Sequence, residues 1–234
     1  MLKQTDIPDH GQRQINGSRK LAAVPAPAQP ERHVGRDGQA RRGGPETYTI
    51  PHYPVHLIDV VRVGDGTRVI IRPTLPQDAE LQRDFFRALS APSRYSRFMT
   101  PLTELPEALA QRFSSIDYSS HLALLAEVFV GGRQTMIGEV RYIVDPRDPI
   151  TCEFAIAVAD DWQFHGLARI LLGRLERQAA ASGVQRMVAD TFLANRAMIV
   201  LAAHAGYAVR ARREDAMLAR LEKCLASSTA LLPS

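Results

Sequence analysis

Asp160-Asp161-Trp162-Gln163-Phe164-His165-Gly166-Leu167-Ala168-Arg169 is the stretch that decides how this chain is read. It follows an apolar, strand-like run from Cys152 to Ala159 and opens into a long amphipathic pattern. A strand, a short turn and a helix start leave backbone N–H groups without intrahelical partners, and a phosphate is their natural acceptor. The spacing Gln163-x-x-Gly166-x-Ala168 suits a pyrophosphate cradle, because small residues let phosphate oxygens approach the backbone. The plainer alternative is an ordinary strand-to-helix turn.

Working outward, apolar residues fall at 167, 170, 171, 175 and 179, which is one face of a helix from about 166 to 182. Gly183 closes it, residues 185–192 form a strand, and Asn195 is a candidate N-cap for a helix ending at Gly206. Residues 207–210 and 216–221 are the last strands. Upstream, Gly64-Asp65-Gly66 is a strong turn signal after an apolar run from Ile58, and Thr67–Arg72 is a strand stopped by Pro73. Helices are expected from Pro76, over 93–98 and over 104–113, and strands over 121–130, 135–144 and 151–159. Written as β-α-α-β-β-β-α-β-α-β-β, the order is a mixed α/β sheet with interspersed helices.

Residues 1–48 are rich in Gln, Gly, Pro, Arg and Ala and lack hydrophobic periodicity, so a disordered or loosely ordered tail is expected. Residues 49–65 form a lead-in, 66–222 the folded domain and 223–234 a C-terminal tail. The net charge of +4 divides unevenly: residues 1–46 hold eight Lys/Arg against five Asp/Glu, and the rest hold 21 against 20. That argues against a dedicated nucleic-acid surface. No apolar run reaches the roughly 20 residues a membrane helix needs. Two distant cysteines, Cys152 and Cys224, give neither a disulfide framework nor a metal motif, and the expected compartment is a reducing cytoplasm. No histidine pair has ligand spacing, so no metal is expected.

From residue 66 to 222 the chain resembles the GNAT superfamily of acyl-CoA-dependent N-acyltransferases. The resemblance rests on the order of elements, on Gln163-x-x-Gly166-x-Ala168 after a strand ending at Val158, and on Asn195-Arg196-Ala197-Met198 followed by Ala205-Gly206-Tyr207. Further stretches resemble the acetyltransferase module of bacterial protein-lysine acetyltransferases: Asp65-Gly66-Thr67, Ile71-Arg72-Pro73, Leu89-Ser90-x-x-Ser93-Arg94-Tyr95-x-Arg97-Phe98, Asp117-Tyr118 and Glu153-Phe154-Ala155. The resemblance implies a mostly antiparallel sheet with a central splay at a bulge, flanked by helices. It implies acetyl-CoA as cosubstrate, direct attack by a primary amine, and a monomer or homodimer. The acceptor is a protein lysine by resemblance, with a small-molecule amine as the alternative and a non-catalytic acyl-CoA sensor as a third reading.

The same resemblance distributes roles. Gln163, Phe164, His165, Gly166, Leu167, Ala168 and Arg169 would hold the pyrophosphate, and Ala157 and Val158 the pantetheine arm at the splay. Asn195 is a cofactor contact or only a helix cap. Glu153 is the candidate general base, because a lysine amine with a pKa of about 10.4 is protonated at neutral pH. A salt-bridged surface Glu is the alternative, and Glu139 and Asp117 stand in reserve. Alternation along the strand turns Cys152 away from Glu153. Arg94, Tyr95, Arg97 and Asp117 are candidate acceptor contacts, or packing residues. Two departures stand out: Phe164 where relatives often carry Gly, and Ala202 where many carry the tyrosine that protonates the leaving thiolate.

Overall fold

The computed structural model describes residues 53–226. The expected tail over 1–48 lies outside them. Eight strands form one sheet: β1 (Asp59–Val63), β2 (Thr67–Pro73), β3 (His121–Val130), β4 (Arg133–Asp145), β5 (Asp148–Val158), β6 (Arg186–Phe192), β7 (Ala208–Ala211) and β8 (Leu218–Cys224). Five α-helices accompany them: α1 (Ala79–Ala88), α2 (Ala91–Phe98), α3 (Glu107–Ser114), α4 (Leu167–Ala181) and α5 (Arg196–His204). The order across the sheet is β1-β2-β3-β4-β5-β6-β8-β7, and every pairing is antiparallel except β5 with β6. The mixed, mostly antiparallel sheet flanked by helices is therefore as expected.

Two details differ from the sequence reading. Two strands open the sheet rather than one, because Ile58–Val63 does pair: Asp59 to Val63 lie opposite Ile71 to Thr67. The folded unit among the described residues thus includes β1, ahead of residue 66. Three helices separate β2 from β3, one for each expected segment, but their starts shift to Ala79, Ala91 and Glu107. Their starts follow capping chemistry. The Ser90 hydroxyl accepts from Ser93 N (3.3 Å), which with Pro92 in the first turn starts α2 at Ala91, and Pro106 at the N-cap delays α3 to Glu107.

Alternation sorts the sheet into two faces. Leu122, Leu124, Val140, Tyr142, Cys152 and Phe154 pack against α4 through Leu167, Leu171, Leu172, Leu175 and Ala179. The opposite face meets α1 and α2, with Leu125, Met136 and Ala157 against Phe85 and Leu89. Leu172 is fully buried although it lies beside the expected stripe, so the apolar face of α4 is wider than its periodicity suggested.

The second face also carries buried charge. Arg141 donates to both oxygens of Glu139 (2.8 and 2.6 Å), and its guanidinium lies 3.7 Å from the centre of the Phe113 ring. His121 is wedged beside it, with Nδ1 3.1 Å from Ser115 O and Nε2 3.3 Å from Arg141 Nη1. Only a neutral ring, donating through Nδ1 and accepting through Nε2, satisfies both contacts. Burial, and then Arg141, push the His121 pKa down to about 4.

A stability prediction follows. Unfolded His121 takes up a proton below about 6.5 while the folded ring stays neutral, so its contribution is complete above that pH and is lost as pH falls toward about 4. Thermal denaturation from pH 7 to 5 should show a stability loss of at most about 1.4 kcal/mol per pH unit. His121→Gln should flatten that slope; an unchanged slope contradicts the assignment.

Candidate active site

β5 and β6 pair through only three positions, Thr151, Cys152 and Glu153 opposite Arg186, Met187 and Val188. Both strands continue, to Val158 and to Phe192, without pairing to each other. β6 then follows β8, and β5 stays on β4 up to Val158 opposite Gly138. The splay is present; β5 keeps an unbroken register with β4 from Cys152 to Val158, and a register shift between β3 and β4 at Ala126/Glu127 leaves Ile137 as an extra residue of β4 beside the Gly138–Val158 pair.

A cavity of about 920 Å³ fills the gap and runs to the start of α4. Its lining includes Glu153, Ala157, Val158, Gln163, Phe164, Gly166, Ala168, Arg169 and Asn195, together with Arg97 from α2. Glu153 lies on the α2 face of β5, and Cys152 on the other. The Cys152 thiol is fully buried, and burial followed by the Glu153 charge pushes its pKa up to about 12, so it is no nucleophile.

The turn before α4 is held from two sides. On one, Asp160 accepts from Ser90 N (2.9 Å), Ser90 Oγ (2.7 Å) and Ser93 Oγ (2.7 Å), which ties the turn to the start of α2. Burial works against the Asp160 carboxylate, but these donors hold its pKa below the usual range. On the other, Gly64 N donates to His165 O (3.2 Å) from the β1–β2 turn. Between them Gln163 Nε2 donates to Val158 O (3.2 Å). Gly166 takes the N-cap position in the left-handed region (φ 83°), and no side chain caps the helix. The first N–H groups of a 15-residue helix therefore face the cavity without side-chain acceptors, which is the arrangement that binds phosphate.

Other expected residues fall elsewhere. Leu167 offers only its backbone, since its side chain is core. His165 packs against Gly64 and is absent from the lining. The helical phase of α2 turns Ser93, Ser96 and Arg97 to the cavity and leaves Arg94 and Tyr95 out of it. Arg94 donates to Leu89 O (2.6 Å), and Tyr95 stacks on Phe192 at 4.8 Å. Asp117 accepts from Ser119 N and His121 N (2.9 and 2.8 Å) and closes the loop before β3, away from the cavity. Of the reserve bases, Glu139 is held down by Arg141 and Arg97 against the effect of burial. Asn195 does both things considered for it: its Oδ1 accepts from Met198 N (3.1 Å), and the residue lines the cavity. Ala202 is buried, and Tyr207 is packed on Phe154 with its hydroxyl pKa raised by burial. Among the described residues no tyrosine lines the cavity.

Sequence reasoning missed Arg196, which lines the cavity beside Asn195, and the apolar wall of Phe98, Met99, Leu109 and Phe113. A basic residue just inside a capped helix was the available signal for Arg196. The Ser90–Asp160 contact spans 70 positions and has no local signature.

Phe164 and Gly64 give opposite predictions. Phe164 sits at φ 64° with 92% of its surface exposed, so its ring gains no packing to offset the strain. Phe164→Gly should raise stability by about 0.5–1 kcal/mol, the relief of the left-handed strain less the added chain entropy. Gly64 is at φ 52°, and an added Cβ would lie 2.6 Å from His165 Cδ2. Gly64→Ala should cost about 1–2 kcal/mol. Denaturant titration checks both, and a stabilising Gly64→Ala would contradict the packing.

The family model described as "Acetyltransferase (GNAT) family" matches residues 83–207. An acetyltransferase of Pseudomonas aeruginosa is 34% identical over 148 residues, covering 63% of this chain and 79% of that protein. The acetyltransferase Pat of Mycolicibacterium smegmatis is 29% identical over 138 residues; the match covers 59% of this chain but only 40% of Pat. The crystal structure of the GNAT domain of S. lividans PAT superposes with a TM-score of 0.67 at 30% identity, over 74% of this chain and 99% of that one. With the family matched across more than half of its length, the chain belongs to the acetyltransferase (GNAT) family and is an acyltransferase.

Proposed function

We propose that the protein transfers an acetyl group from acetyl-CoA to a primary amine, with a protein lysine as the preferred acceptor. The observation that carries this is the placing of Glu153, the parted strands and the uncapped start of α4 around one cavity. What acetyl-CoA supplies is an activated thioester. The fit is physical: the helix start and the cations Arg169 and Arg196 suit its phosphates, and the unpaired edge of β5 from Phe154 to Val158 suits the amides of its pantetheine arm.

Glu153 takes the proton from the attacking amine, directly or through a water molecule. Leu89, Phe98, Met99, Leu109 and Phe113 offer an apolar passage that suits the aliphatic stem of a lysine. This passage supports the lysine reading, as do the motifs shared with bacterial protein-lysine acetyltransferases. With Ala202 and a buried Tyr207, the described residues place no phenol in the cavity to protonate a departing thiolate. A thiol pKa of about 8.5 makes that group able to leave without one.

Glu153→Gln should lower kcat roughly 100-fold at neutral pH and leave acetyl-CoA affinity unchanged. Raising the pH should recover part of the loss, because the amine then deprotonates unaided. Thiol release with mass spectrometry of the product checks this, using a folded lysine-bearing protein and free amines as acceptors. Free amines reacting as fast as the protein would overturn the lysine reading. A wild type that releases no CoA with any acceptor would overturn the enzyme reading in favour of a sensor.

A further inference from the structure

Behind Arg97 lies a second cavity of about 20 Å³, walled by Gln82, Phe86, Leu89, Arg97, Phe113 and Glu139. Arg97 lines this cavity and the large one, and with Leu89, Phe98, Phe113 and Ala157 it forms the partition between them. Gln82 projects from α1 and is 3% exposed, and neither its Oε1 nor its Nε2 has a hydrogen-bond partner. Arg97 Nη2 is likewise buried and unpartnered, on a side chain 7% exposed. Glu139 is its ion-pair partner, but at 3.6 Å the contact with Arg97 Nη2 is too long for a hydrogen bond.

Three orphan polar atoms thus sit on two side chains around one small hole. Buried polar groups in native proteins are satisfied by protein or by ordered water. A water needs about 10–15 Å³ of such space and two to four polar partners, and this cavity provides both. No organic group or hydrated ion fits.

We propose that the small cavity holds one water molecule, accepting from Arg97 Nη2 and donating to the Gln82 carboxamide, and that Gln82 thereby acts as a positioning residue for Arg97. The consequence reaches the large cavity. Arg97 interacts electrostatically with Glu139, Arg141 and Glu153. Arg141 already pairs with Glu139, so the guanidinium held by the water places a positive charge that Glu153 feels. This last step rests on the reading of Glu153 as the base; the water site does not.

The test is a crystal structure of the wild-type chain at about 1.8 Å or better, joined to the kinetics of Gln82→Met, which keeps the volume and removes both orphan atoms. The expected result is an ordered water within hydrogen-bond reach of Gln82 and Arg97. Gln82→Met should lose it, melt several degrees lower, and show kcat reduced roughly tenfold with the acetyl-CoA KM within about twofold of wild type. Gln82→Glu, which again offers Arg97 a partner, should restore kcat. A dry cavity in the wild type overturns the proposal. So does a Gln82→Met protein that melts higher, because removing unsatisfied atoms from a dry site stabilises. Loss of kcat together with a raised acetyl-CoA KM marks a merely structural role and overturns the positioning claim, as does failure of Gln82→Glu to restore kcat. A wild type without acetyl transfer defeats the Glu153 reading alone, since the crystallographic water and the sign of the melting shift remain to decide the site.

Discussion

Three register pairs join β5 to β6, and the chemistry of this protein starts where they stop. A parallel pair left open at one end exposes the backbone edge of β5 in the middle of a sheet, where it would ordinarily be hydrogen-bonded. The opening holds its shape because along it each strand is paired on its other side, β5 to β4 and β6 to β8. The cavity, the position of Glu153 at the last paired residue and the approach to the start of α4 all follow from that divergence.

Support for the opening is shared among distant parts of the chain. Asp160 ties the turn before α4 to the start of α2, and Gly64 ties it to the β1–β2 hairpin. The proposed cofactor turn and the wall of the acceptor passage are therefore fastened to each other, so a change in one is felt in the other. Beneath that wall, Arg97, Glu139 and Arg141 form a buried charged layer around Phe113, with the neutral His121 ring beside it. Such a layer contributes less to stability than its number of ion pairs suggests, because desolvation offsets most of the attraction.

Much of this was legible in the chain. The period of α4 and the small residues of the turn marked the helix start that borders the cavity, and alternation alone assigned Glu153 and Cys152 to opposite faces. The illegible parts share a cause, which is that they depend on tertiary position. The phase of α2, set by the Ser90 cap, decides that Arg97 faces the cavity while Arg94 and Tyr95 pack. β1 looked like a lead-in because its burial is partial, with Val60 46% exposed at the sheet edge. Phe164 was visible as an odd residue, but its left-handed backbone was not.

The central claim is that the uncapped start of α4 and the unpaired edge of β5 receive one ligand together. Backbone amide chemical shifts, followed by NMR as acetyl-CoA is added to the full chain, address it most directly. The account predicts that the largest shifts fall on Leu167–Arg169 and on Phe154–Val158, saturating with a single affinity. Saturable binding that leaves either stretch unmoved, or no binding at all, would contradict it.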